Sequence, residues 1–221
     1  KVITYGKDNT ADWYPTDVTF NDLGHATYTV NHKGEKVAKV ELSIPGMHNV
    51  YNSLSAFALA TCYGVDTDAI VKGIKNFTDR RFQFKGQFNG VNVIDDYAHH
   101  PTEIQATINS ARGTKLNKLW IMFQPHTYTR TYNHLDDFAK VLSEADHVIL
   151  LDIYASREKD TGLVSSKDLR DKIEALGGVV TYCPTFNDAE KYAVDNCRKG
   201  DMLITMGAGD VYKIGEKLVR Q

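Results

Sequence analysis

The 221-residue chain is poor in cysteine: Cys62, Cys183 and Cys197 are odd in number, far apart and free of any Cys-x-x-Cys spacing. A disulfide framework or a cysteine zinc site is therefore not expected, and a reducing, cytoplasmic setting fits best. No apolar run approaches the roughly 20 residues needed to span a bilayer, and the first residues lack a charged-then-apolar leader pattern. No membrane partner is expected. Charge of one sign is also missing, because 26 basic against 28 acidic residues leave a formal charge of −2. Such a balance creates no field that recruits nucleic acid. The sequence contains no G-x-x-x-x-G-K-[ST], and Gly6-Lys7 has neither the upstream glycine nor the following hydroxyl, so no phosphate-binding P-loop is present. What is there is ordinary for a globular protein, with 42% hydrophobic and 24% charged residues and length for one large domain or two modest ones.

Two patterns divide the chain. It opens at Lys1 inside the strand-like "KVITYG", as a piece cut from a longer protein would. Up to about Leu42, alternating stretches such as Ala26 to Val30 and Lys36 to Leu42 are separated by turn residues, which predicts antiparallel hairpins. "HNVYNSLSAFALATCYG" then puts Leu54, Ala58 and Cys62 at helical spacing and stops at Gly64. A second helix is expected from Asp66 to about Asn76. Beyond Arg81 to Phe84, apolar strands alternate with amphipathic helices, the pattern of a parallel sheet covered on both faces. Strands are predicted at 91–95, 119–123, 147–151, 179–182 and 202–205, and helices at 101–112, about 132–145, 165–176, 187–196 and 211–219. In such a doubly wound α/β domain, ligands gather beyond the carboxyl ends of the strands.

Three clusters carry chemistry. "DDYAHHPTE", residues 95–103, lies in a strand-to-helix turn, with Pro101 suited to the first helical position. Free N–H groups there favour an anion, Asp96 can accept from sugar hydroxyls and His99 can donate to a phosphoryl oxygen. The same residues also suit a plain helix start. A metal site fits poorly, because His99 and His100 are adjacent and their side chains diverge. "QPHTYTRT", residues 124–131, follows "LWIMF" at another strand end, where topology would bring it beside the first cluster. Arg130 can clamp a carboxylate or phosphate, and His126 can bond to the same ligand or shuttle a proton. In "GMHNVYN", Asn49 and Asn52 share one face at a helix start and suit a planar heterocycle, or simply cap the helix. The turn Gly207-Ala208-Gly209-Asp210 can approach a ligand closely but is a weak signal.

Together, "IPGMHNVYNSLSAFALA", "RRF", "IDDYAHHPTEI", "FQPHTYTRT", "YASREKDTG" and "TMGAGDVYKIGE" resemble the Mur ligases of bacterial peptidoglycan synthesis, in that family's order and spacing and over nearly the whole chain. The Asp-Asp-Tyr-x-His-His-Pro-Thr-Glu form points to the alanine-adding branch. The resemblance implies a Rossmann-like carboxyl-terminal domain at 83–221, preceded at 1–82 by the strands and two helices that end a central ATPase domain whose P-loop lies upstream. It implies ATP-dependent amide formation between UDP-N-acetylmuramate and L-alanine through an acyl phosphate, with the fragment inactive alone. It places Asn49 and Asn52 at the adenine, Arg81 at the phosphates, Asp96 at the ribose and His99 near the acyl phosphate, with Tyr97, His126 and Arg130 around the alanine. Mg2+ is expected with its principal ligands outside this chain, so no metal ligand is assigned here. Many relatives carry a second arginine where this chain has Thr127, which puts more weight on Arg130. The alternatives are a ligase of the same family that recycles murein tripeptide and a non-catalytic α/β module that binds a nucleotide or an anion.

Overall fold

A computed structural model of the chain describes residues 2–21, 24–76 and 80–220. They divide into two compact units, Lys1–Asp79 and Arg80–Gln221, so the second opens three residues before the expected position 83.

In the first unit, the alternating stretches pair as an antiparallel sheet in the order β1 (Trp13–Phe20), β2 (His25–His32) and β3 (Glu35–Pro45). Among the described residues at the start no strand forms: Tyr5 makes a single bridge to Trp13, and the backbone and hydroxyl of Thr4 donate to the Asp12 carboxylate at 2.9 and 3.0 Å. Helix α1 (Met47–Cys62) packs Val50, Leu54 and Phe57, all fully buried, against Tyr28 and Val30 of the sheet. Each such side chain contributes roughly 2 kcal/mol of transfer free energy. Cys62, expected on this stripe, is exposed. Helix α2 (Thr67–Lys75) starts where Asp66 accepts from the Asp68 and Ala69 N–H groups at 3.0 and 3.2 Å, an N-cap of the usual kind.

The second unit is α/β. Its six-stranded sheet combines β4 (Gln83–Phe88), β5 (Val91–Asp96), β6 (Leu119–Phe123), β7 (His147–Leu150), β8 (Val180–Tyr182) and β9 (Met202–Met206), in the order β4-β5-β9-β6-β7-β8. Five strands are parallel, and β4 runs antiparallel along the edge. The parallel strands alternate their contacts. Ile94, Ile121, Phe123, Val148 and Ile204 face α3 (Pro101–Arg112), α5 (Leu135–Leu142) and α6 (Ser166–Ala175). Val93, Met122, Ile149 and Leu203 face α7 (Phe186–Asn196) and α8 (Tyr212–Leu218). Helices on both faces bury both sides of every central strand, which explains their continuous apolar runs.

Two elements depart from the expectations. β4 was not foreseen because "QFKGQF" alternates weakly and contains Gly86, yet Asn89-Gly90 closes a two-residue hairpin with φ of 49° and 78°, the left-handed pair such a turn requires. The helix expected near 132–145 is two helices, α4 (Tyr128–Asn133) and α5, separated at His134 with φ −119°. This break lets α4 bury Thr131 while α5 turns Phe138, Ala139 and Leu142 to the sheet.

Candidate active site

The β5–α3 turn is organised by its own carboxylates. Pro101 starts the helix, and Glu103 accepts from the backbone of His99 and His100 at 3.1 and 3.2 Å, a reciprocal cap of the N-terminus. Asp96 is 5% exposed, and its two oxygens accept from the N–H groups of Phe82 and Ala98 at 2.9 and 2.8 Å. Burial pushes its carboxyl above the ordinary value, with these hydrogen bonds pulling the other way. A sugar hydroxyl reaching Asp96 must donate to the lone pairs those N–H groups leave free. His99 sets Nδ1 2.9 Å from the Tyr97 carbonyl. A carbonyl can only accept, so Nδ1 carries the proton, and Nε2 can accept when the ring is neutral or donate when it is charged.

Of the two arginines in "RRF", Arg81 is exposed, while Arg80 is built into this turn. Its Nε donates to the fully buried Asp95 side chain at 2.8 Å, Nη2 donates to the Gly207 carbonyl at 2.7 Å, and the guanidinium lies 5.0 Å from the Tyr97 ring and 4.5 Å from that of Tyr212. Thr205 donates to the other Asp95 oxygen at 2.9 Å. The buried carboxylate is thus paired and hydrogen-bonded, as its low-dielectric position demands. Sequence reading gave Arg80 no role.

The second cluster sits in the β6–α4 loop. Arg130 Nη1 donates to the His126 carbonyl at 2.8 Å and meets His126 Nδ1 at 3.3 Å, while its Nε and Nη2 have no partner among the described residues. His126 stacks on Tyr154 at 5.5 Å with 14° between planes. Burial, then the charges of Arg130 and His99, lower its pKa below the ordinary histidine value, so the ring is neutral at pH 7. Thr127 donates to Glu158 Oε1 at 2.5 Å, and the Thr129 N–H donates to Oε2 at 2.9 Å. Tyr154 and Glu158 lie in "YASREKDTG", a stretch that sequence reading singled out without giving either residue a task.

The clusters were expected beside one another, and they are, although β9 lies between β5 and β6. They meet because the end of β9 is thin. Gly207 has φ 142°, and a Cβ there would stand 2.7 Å from the Gln124 carbonyl oxygen. Gly207 N–H donates to the Asp96 carbonyl and Gln124 N–H to that of Met206, both at 3.1 Å. Across this seam the His99 and His126 rings approach to 6.2 Å. His99, Tyr97, His126 and Arg130 therefore form one group at the carboxyl end of the sheet. In the other unit, Asn49 is buried, donates to the Pro45 carbonyl at 2.7 Å and accepts from Asn52 at 3.2 Å. The exposed Asn52 keeps its own amide oxygen and a second N–H for an outside ligand. Among the described residues, no group of three or more histidine, cysteine or acidic side chains could hold a metal, and no helix is long and apolar enough to cross a membrane.

Comparison with known proteins covers both units. The model of the Mur ligase glutamate ligase domain matches residues 80–209, and that of the Mur ligase middle domain matches residues 1–60. The UDP-N-acetylmuramate–L-alanine ligase of Lachnospira eligens is 51% identical over 100% of this chain and 49% of its own length. That of Clostridium perfringens is 45% identical over 99% and 48%. Among solved structures, the UDP-N-acetylmuramate–alanine ligase of Thermotoga maritima aligns with a TM-score of 0.78 at 26% identity, covering 99% of this chain and 47% of that one. A murein peptide ligase of Psychrobacter arcticus aligns at 0.71 and 27%, covering 98% and 45%. The chain spans about half the length of the curated relatives it matches.

Proposed function

This chain belongs to the Mur ligase family, and we propose that it supplies the end of the central domain, about 1–82, and the carboxyl-terminal domain, about 83–221, of a cytoplasmic ligase that joins L-alanine to UDP-N-acetylmuramate at the expense of ATP. The observation that carries this reading is the group at the carboxyl end of the sheet, where His99 and His126 stand 6.2 Å apart beside the partly unpartnered Arg130 guanidinium.

A carboxylate is a poor electrophile. Phosphorylation to an acyl phosphate gives the carbonyl carbon a good leaving group, so the amine nitrogen can attack, the carbon–oxygen bond of the anhydride breaks and inorganic phosphate departs with the electron pair. Arg130 holds the amino-acid carboxylate through its free guanidinium edge. Tyr97 walls the pocket, and the neutral His126 avoids repelling the α-ammonium before it loses a proton. His99, when its ring is charged, donates through Nε2 to the phosphoryl oxygens. Asn52, steadied by Asn49, matches the donor and acceptor edge of adenine, the exposed Arg81 suits the phosphates, and Asp96 meets the ribose through its remaining lone pairs. ATP supplies the phosphoryl group with Mg2+ neutralising its charge, and the principal metal ligands lie outside this chain.

The test is phosphate release by the full-length protein that contains this chain, with UDP-N-acetylmuramate and ATP and with either L-alanine or murein tripeptide as the varied substrate. Release that requires L-alanine is expected, and none from the 221-residue chain alone. A preference for tripeptide would support the second reading, which the likeness to a murein peptide ligase favours. No release with either acceptor would return the chain to a non-catalytic binding module.

A further inference from the structure

Arg130 stands on a six-residue helix, a length with almost no stability of its own. Something outside the helix must hold it. The N-cap residue Thr127 makes no side-chain bond to its own helix, and its hydroxyl donates instead to Glu158 Oε1 at 2.5 Å. Glu158 Oε2 accepts the Thr129 N–H at 2.9 Å, an orphan donor of the first turn. One carboxylate from the β7–α6 loop thus does the capping that α4 does not do for itself. Four residues earlier on the same loop, the Tyr154 N–H donates to the Pro125 carbonyl at 2.8 Å, and its ring stacks on His126. The loop therefore grips the His126 segment on both sides.

We propose that Glu158 is a positioning residue that fixes the His126–Arg130 pair in the geometry the amino-acid carboxylate meets. The link to the amino acid rests on the pocket reading given above. Donation from the Thr127 hydroxyl and the Thr129 N–H holds the Glu158 carboxyl below its ordinary value, so it stays ionised at neutral pH, where a negative charge at a helix N-terminus is favourable. Charge alone is not the point: a glutamine in the same place can still accept the Thr129 N–H and bond to Thr127, whereas an alanine can do neither.

The test joins two readouts. In the 221-residue chain, the nuclear Overhauser contact between the His126 and Tyr154 rings and the Arg130 Nε–H shift report the geometry. In the full-length protein, steady-state kinetics report the pocket. Glu158→Ala is expected to weaken the ring contact, move the Arg130 signal and raise the amino-acid KM on the order of tenfold with kcat little changed, as misplacement of a binding group does. Glu158→Gln restores most of both. If Glu158→Ala leaves the His126 and Arg130 signals at their parent positions, the positioning role is wrong whatever the activity. If the signals move and the KM does not, the clamp stands and the amino-acid pocket is refuted. Should Glu158→Ala fail to fold, Thr127→Val decides, since it removes only the hydroxyl contact: His126 and Arg130 signals that move together with an amino-acid KM raised about threefold support the role, and signals at their parent positions overturn it.

Discussion

The two ends of the six-stranded sheet each carry histidine, aromatic and carboxylate groups, yet they differ in what those groups leave free. At the amino end, Trp120 donates to the buried Asp201 at 2.9 Å, and the Arg198 N–H donates to the same oxygen at 2.9 Å. His147 stacks on Trp120 at 4.5 Å and meets the Thr181 hydroxyl at 2.9 Å. There the Trp120 and Arg198 N–H groups and His147 Nε2 are all spent on partners within the network. At the carboxyl end, Arg130 spends one nitrogen on His126 and keeps the rest, and His99 commits only Nδ1. A polar cluster becomes a site when donors are held in place without being used up, and spacing along the chain does not report that difference.

The largest effect is expected at the seam. Gly207→Ala places a Cβ 2.7 Å from a backbone oxygen at φ 142°, and about 3 kcal/mol of stability should be lost, together with the approach of the two histidine loops. Urea unfolding of the 221-residue chain measures the first, and the shifts of His99 and His126 the second. A stable variant with unmoved histidine signals would show that the seam does not join the clusters. Next in size is Asp201→Ala, which strands the Trp120 N–H and should cost about 2 kcal/mol while leaving the L-alanine KM of the full-length protein at its parent value. A raised KM would mean that the amino end is not purely structural.

Titration separates the ends more gently. Burial lowers the pKa of His147, with Lys118 adding to it. Above about pH 6.5 the ring is neutral in the folded and unfolded chain alike. As pH falls below that value, the unfolded chain takes up a proton that the folded chain refuses, so stability declines until the folded pKa is reached. His147→Gln should flatten that decline, which pH-dependent unfolding will show. Burial leads at both rings, but two neighbouring charges, Arg130 and His99, add to the lowering at His126 and one, Lys118, at His147, so salt should raise the pKa of His126 more than that of His147. Equal salt responses of the two C–H resonances would mean that His126 is no more exposed to neighbouring charge than its counterpart.

Much of this architecture is legible in the residues. Continuous apolar runs such as "LWIMF" mark strands buried on both faces, and Asp66, Pro101 and Ser165 mark helix starts because each satisfies or omits a first-turn N–H. The Asn89-Gly90 pair is itself a local hairpin signal. Other features leave no local trace. Arg80 finds the Gly207 carbonyl 127 residues away, Thr127 finds Glu158 across 31 residues, and β9 slips between β5 and β6 from near the end of the chain. His99, His126 and Arg130 could be named as candidates from their strand-end positions. Which of their atoms stay free depends on partners that only the fold supplies.

In the proposed ligase, the carboxyl end of this sheet receives the carboxylate of L-alanine on Arg130. The most direct measurement is the L-alanine dependence of phosphate release by the full-length protein, parent against Arg130→Ala, with the folded state of both checked by thermal melting. Loss of a charge-assisted, bidentate partner should raise the L-alanine KM by about 100-fold with little change in the KM for ATP. An unchanged L-alanine dependence would contradict the account.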